Sequence, residues 1–330
     1  MNISTIRSGL RPAWLAAAFA AAVCMLPARL DAQSGPGEIV GHKMPVPGEP
    51  VGGTTAKLSE VEAELVAGLP PQGQAERLLQ YAISHHVGAT DDLKLRVKGW
   101  RGAITLTPTL ETLLDVARNG DDLRVRAAAI EIELAAFGIG KTAAQVESLL
   151  GRTAANPIDA RQAIYILGLL ANRGVETERI HDELRALTRS EMDIVRYQAY
   201  AAIANIGTDD TVADLVNAFH HDPSSVVRIN AGGCGLAHCG MLTRAQRMLA
   251  IPGLIEMAAD KNVGSRDRSY AFRALREITD ETLPDNDRMW REWYATHGAA
   301  LTEQFRKLDQ SLITDHSSRI THHGSLISDS

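Results

Sequence analysis

The chain predicts an all-α fold, an α-solenoid of stacked helix pairs, on three observations. Arginines recur at Arg96, Arg126, Arg161, Arg196, Arg228 and Arg268, at intervals of 30, 35, 35, 32 and 40 residues. Self-similarity at a period of about 20–50 residues marks a repeat array. The segments these arginines open share a template: Asp92-Leu-Lys-Leu-Arg96 and Asp122-Leu-Arg-Val-Arg126, with Asp193-Ile-Val-Arg196 and Ser225-Val-Val-Arg228 as close variants. Finally, 45% of the chain is apolar but only 5% aromatic, so alanine fills much of the interior. No run of alternating β-branched residues suggests a strand.

In chain order, residues 1–32 read as a signal peptide. Arg7 and Arg11 form a basic start, and Ala13 to Leu26 is an apolar stretch of fourteen residues. A membrane span needs roughly 20 residues. Small residues then lead to a cleavage site after Ala32, which places the mature chain in the periplasm or outside the cell. Lipidation at Cys24 is set aside, because Val23 stands where a small residue is required. Residues 33–57 hold ten Gly or Pro in twenty-five positions, the composition of a flexible linker.

The helical array is expected over residues 58–310. Its clearest unit is 175–207. Ile180, Leu184 and Leu187 make a helical stripe for a first helix, A. Asp193 is expected to cap a second helix, B, whose inner side carries Val195, Ala199, Ala202, Ile203 and Ile206. Gly207 is expected to end it. The same design reads at Thr107–Gly138, Thr142–Gly174, Asp209–Gly240 and Thr243–Thr279, with a weaker first unit at Gln74–Leu106. About six pairs result, none able to bury its apolar face without its neighbours.

The pattern Asp-x-x-Val-Arg-x-x-Ala-x-x-x-Leu/Ile-Gly resembles the second helix of HEAT repeats over about residues 74–280. The match is close at Asp193–Gly207 and degraded at 157–174, where Ile164 takes the alanine place. The resemblance implies that Arg126, Arg196 and Arg228 are scaffold, bridging adjacent turns in a ladder. Residues 285–310, with Trp290, Trp293, Tyr294, Leu301, Phe305 and Leu308 at helical spacing, are similar to the Trp-rich segment that closes bacterial HEAT arrays. Residues 311–330 are Ser- and His-rich and read as a disordered tail.

Several stretches resemble chemistry. Ala135-Ala-Phe-Gly-Ile-Gly140-Lys141-Thr142 satisfies a relaxed phosphate-loop pattern, but a helix with repeat periodicity leads into it rather than a strand. Cys234 and Cys239 are the cysteines left after processing. Five residues of α-helix rise about 7.5 Å, beyond the roughly 7 Å that a disulfide spans, although Gly232-Gly233-Cys234-Gly235 could loosen the helix. By alignment Cys234 takes the core place of Ala202 and His238 that of Ile206. With His220 and His221 in the preceding helix, a zinc cluster is a second reading. The pairs His85-His86 and His322-His323 read as solvated. No nucleophile elbow, metalloprotease helix or dinucleotide turn occurs, so no cofactor and no catalytic set is expected.

The formal charge is −6. Removing residues 1–32 deletes three basic residues and one acidic one and leaves −8, unsuited to nucleic acid. The expected function is a non-enzymatic scaffold that binds a protein or peptide along its B helices. Outward places counted from the arginines are Gln162, Ile166, Tyr197, Gln198, Asn205, Asn230, Tyr270 and Arg273. The alternatives are an enzyme or enzyme subunit using Glu131, Arg273 and Glu277, and metal handling through Cys234, His238 and Cys239.

Overall fold

The computed structural model describes residues 58–310, and among them it holds helices and no strand. The segments expected to be signal peptide, linker and tail, with His322-His323, lie outside the described residues. A short helix, α1 (Glu60–Ala67), begins at a capping box in which Ser59 and Glu62 satisfy one another's backbone N–H groups. Helix pairs follow: α2 (Pro71–Ile83) with α3 (Ala89–Trp100), α4 (Pro108–Asn119) with α5 (Leu123–Ala136), and α6 (Ala143–Ala155) with α7 (Arg161–Asn172). Next come α8 (Thr177–Leu187) with α9 (Asp193–Ile206), and α10 (Asp209–His221) with a helical rod over 225–239, here α11. The array continues with α12 (Arg244–Arg247), α13 (Ile251–Ala259), α14 (Ser265–Thr279) and α15 (Asp287–Trp293).

The boundaries follow local chemistry. Thr107, Thr142 and Thr243 each cap the helix after them, their hydroxyls accepting from the N–H groups of Leu110, Gln145 and Gln246. Asp122 does the same for α5. Asp193 does not. Met192 occupies the cap position, and Asp193 is the first helical residue, its carboxylate accepting from Ser224 Oγ at 3.3 Å. It still favours the helix start, because the first turn carries partial positive charge. Gly207 ends α9 at φ 68°, a left-handed conformation that a side chain resists.

Two apolar clusters run through the array, one from Val66 to Ala135 and one from Ile130 to Phe305. Helix α5 contributes to both. Packing is tightest between α7 and α9, where a Cβ added at Gly168 would lie 2.5 Å from the Ala202 carbonyl oxygen. Trp290 and Phe305 are fully buried at the C-terminal end, Trp290 donating through its indole N–H to the Pro284 carbonyl at 3.1 Å. Leu308, expected in the same stripe, is exposed.

The arginine ladder exists, in two forms. Arg196 donates to the Ser190 and Glu191 carbonyls and, with two nitrogens at 2.8 and 2.9 Å, to Asp222 of the next pair. Arg228 repeats this with the Asp222 and Pro223 carbonyls and Asp267. Arg268 keeps only the carbonyl half, from Asp260 and Val263, and Arg161 is exposed. Arg126 departs from the expected bridge between adjacent turns. It is buried and donates to the carbonyls of Gly240 and Leu242, more than a hundred residues along. The other end of α5 meets α7, through Glu131 to Arg173 and Glu133 to Tyr165. Helix α5 thus extends from the end of α7 to the turn that follows α11.

Candidate functional site

The surface expected to receive a partner is only partly open. Gln162, Asn230 and Arg273 are exposed, and Tyr197 and Tyr270 are half-buried. Ile166, Gln198 and Asn205 are buried, so their assignment to an outward face is corrected. A stripe counted as facing outward from one helix taken alone is covered once its neighbours stack on it. Gln198 pays a polar cost there, since neither its amide oxygen nor its nitrogen finds a partner.

The ionisable residues considered for an enzyme form two separate groups. Glu131 is bound to Lys141 at 2.6 Å and to Arg173 at 2.9 Å. The lysine of the phosphate-loop look-alike is therefore spent on an ion pair, in a turn delivered by α5. Arg273 and Glu277 pair one turn apart on α14 at 2.7 Å. A buried trio that the sequence did not announce joins α4, α5 and α7. Arg118 donates to Glu133 and to the Tyr165 hydroxyl, and Tyr165 donates to Glu133 at 2.8 Å. Burial pushes the Glu133 carboxyl above its ordinary value, and Arg118 offsets this only in part. A second unannounced feature is Arg247, buried beside Arg126 and donating to the carbonyls of Leu236, Gly240 and Leu242. Burial and the neighbouring Arg126 charge pull it down to about 9, so it stays largely charged at neutral pH.

The most chemically distinctive place is the end of α11. After Ser225–Val227 this rod is wound as a π-helix, over Arg228–Gly233 and again over Gly235–Cys239. Such i→i+5 winding is rare and concentrates at functional sites. Glycines permit the tight seat that accompanies it: a Cβ at Gly232 would lie 2.5 Å from the Phe219 backbone nitrogen. The winding has two consequences that an α-helical reading misses. Residues five apart come one above the other, so the Cα atoms of Cys234 and Cys239 are 5.1 Å apart and the two are joined by a disulfide. That lies within the usual bridging range of roughly 4.4–6.8 Å, which corrects the expectation drawn from α-helical rise. The extra residue per turn also rotates later positions outward. His238, expected in the core place of Ile206, has a side chain 57% exposed.

His238 lies between two partners. Its Nε2 is 3.5 Å from Cys234 Sγ and its Nδ1 is 3.0 Å from Glu277 Oε2. Burial raises the Glu277 carboxyl, but His238 and Arg273 more than offset it, and the group is held below its ordinary value. Cys234, His238 and Cys239 place their ligand atoms within 4.8 Å of one another. His220 and His221 are not in this group: they stack on each other at 4.0 Å, and His220 faces Asp260. Glu277 was visible in the sequence as a groove carboxylate, but nothing in its spacing linked it to His238, 39 residues earlier.

Paired helices stacked in succession, each closed by its neighbours and braced by arginines, define the class: an α-helical repeat protein. The particular repeat is given by comparison, since a family model of HEAT repeats matches residues 146–232, from within α6 to the middle of α11. Over those residues the chain is similar to HEAT repeats, and its all-helical stacked pairs are consistent with a HEAT-repeat helical protein. No curated protein and no solved structure matches it.

Proposed function

We propose that the chain is an exported, non-enzymatic scaffold that holds a protein or peptide partner along its second helices. The observation that carries this reading is the row on successive B helices that reaches the surface: Gln162 on α7, Asn230 on α11 and Arg273 on α14 are exposed, with half-buried Tyr197 on α9 and Tyr270 on α14 between them. An amide, a phenol, a second amide, then a phenol beside an arginine offer donors, acceptors and aromatic faces of the kinds enriched where proteins meet. HEAT repeats, matched over 146–232, commonly serve protein interaction. Export rests on residues 1–32, and the acid balance of the mature chain weighs against nucleic acid. No described helix is long and apolar enough to cross a membrane.

Photo-crosslinking in the native host tests the binding reading. A crosslinking residue at Asn230 or Gln162 is expected to trap the same partner, and one at exposed Glu183 on α8 is not. Equal trapping from all three positions would remove the B-helix surface as the binding face. The N-terminus of the same crosslinked material, read by mass spectrometry, is expected near Gln33. Recovery of full-length protein from the cytosol would refute export separately.

A further inference from the structure

We propose that Cys234 and Cys239 form a thiol–disulfide exchange site, with His238, positioned by Glu277, stabilising the Cys234 thiolate, and that its substrate class is a peptide carrying a pair of cysteine thiols. This goes beyond the scaffold reading and does not depend on it.

Three observations carry the inference. The bridge joins two residues of one helix and ties no helix to another. A loop so short restrains the unfolded chain less than a long-range link would, so structural support is a poor reason for it. The cysteines are half-buried, and His238 beside them is largely exposed, so a peptide thiol has access. Finally, the flanking groups are asymmetric. His238 Nε2 lies 3.5 Å from the sulfur of Cys234, and Glu277 holds the opposite ring nitrogen at 3.0 Å. A carboxylate on Nδ1 fixes the ring's orientation and turns Nε2 toward the sulfur. Cationic or imidazolium neighbours make a cysteine the better leaving thiolate. The charged groups facing this pair are Glu277 and Arg273 from α14 and Arg247 from α12.

The asymmetry fixes the order of events. A substrate thiolate attacks Cys239 Sγ, and a new S–S bond forms as the Cys234–Cys239 bond breaks. The electron pair of the broken bond goes to Cys234 Sγ, which faces His238 Nε2. The second substrate thiolate then attacks the substrate sulfur of the mixed disulfide and expels Cys239 as thiolate. Two substrate thiols are oxidised to one disulfide, losing two electrons and two protons. The chain's disulfide takes up the same number and becomes two thiols, and the reverse sequence reduces a substrate disulfide.

The test uses the mature full chain. The disulfide is reduced with dithiothreitol under native conditions, with helical content followed by circular dichroism and thiols counted by alkylation and mass spectrometry. Both cysteines are expected to become alkylatable while helicity is retained. A synthetic peptide with two cysteine thiols is expected to reduce the bridge roughly ten-fold faster in wild type than in His238→Ala, with Glu277→Gln in between. At pH 6 the lone Cys234 of Cys239→Ser is expected to alkylate roughly ten-fold faster than the lone Cys239 of Cys234→Ser. That last comparison needs no change at His238 and so holds even where His238→Ala disturbs the fold. A bridge that opens only on unfolding overturns the proposal, as does equal reactivity of the two single cysteines. Stoichiometric zinc binding by the reduced chain, with both thiols protected from alkylation, would overturn it in favour of a metal site.

Discussion

Replacing Arg196 by alanine separates scaffold from binding surface. Arg196 is 8% exposed, and its guanidinium donates four hydrogen bonds, two to Asp222 and one each to the carbonyls of Ser190 and Glu191. Its removal leaves Asp222, itself 7% exposed, with a single backbone donor at Ser224. Breaking a buried pair by deleting one partner costs about 3–5 kcal/mol, because the surviving charge stays buried. The remaining Ser224 bond argues for the lower end, about 3 kcal/mol. A chain of this size loses roughly 2–4 °C of melting temperature per kcal/mol, so the midpoint should fall by about 6–12 °C. Thermal melts of Arg196→Ala, Asp222→Ala and the double variant form a cycle. The double variant should be destabilised by clearly less than the sum of the singles, with at least about 1 kcal/mol of coupling. Gln162→Ala, at an exposed position of α7, should leave melting nearly unchanged. Singles that add to within about 0.5 kcal/mol, or an Arg196→Ala chain that melts like wild type, would refute the ladder as a stabilising device.

Gly168→Ala tests the seat of α7 on α9. The new methyl would stand 2.5 Å from the Ala202 carbonyl oxygen and 3.1 Å from its carbon, so α7 and α9 must part, at about 1–3 kcal/mol by denaturant unfolding. A neutral result would mean the two helices are less closely seated. Asp122→Asn tests charge at the start of α5 and keeps a capping side chain. Burial alone would raise Asp122, but Arg124 outweighs it and holds the carboxyl below its ordinary value of 3.8. The carboxylate's contribution is therefore complete above about pH 4 and is lost as pH falls through its lowered value in the folded chain. Asp122→Asn should melt below wild type at pH 7, and the gap should close as the pH falls below the ordinary carboxylate value of 3.8. A gap that persists unchanged in acid would contradict the assignment.

Much of the architecture is legible because each repeat carries its own punctuation. Threonine before helix A, apolar residues on a 3.6 period, and glycine after helix B place the pairs within a few residues. Arg196 and Arg228 could be read as braces through the resemblance to HEAT repeats, although their carboxylate partners, 26 and 39 residues on, do not keep the period. What escaped the sequence depends on departures from that period. Ile166, Gln198 and Asn205 count as outward when each helix is considered alone, and the stacking of neighbouring helices closes over them. His238 and the Cys234–Cys239 bridge were misplaced because alignment assumes α-helical winding, and the π-turns after Val227 shift every later side chain. The glycine run 232–235 was the available signal. Arg247 and the Arg118–Glu133–Tyr165 trio left no signal, because no recurring residue pattern links their members.

The placement of Arg126 on the Gly240 and Leu242 carbonyls bears on how this chain comes apart. Repeat arrays with contacts only between neighbours unfold piecemeal, and folding can begin in any of them and spread. A contact across 114 residues does not follow that logic. The N-terminal helices cannot peel away without stripping a buried guanidinium of its acceptors, and the turn after α11 cannot open without the same loss. The span between them therefore behaves as one cooperative block, and hydrogen exchange should find the amides of α5 and those of α9 opening together rather than in order along the chain.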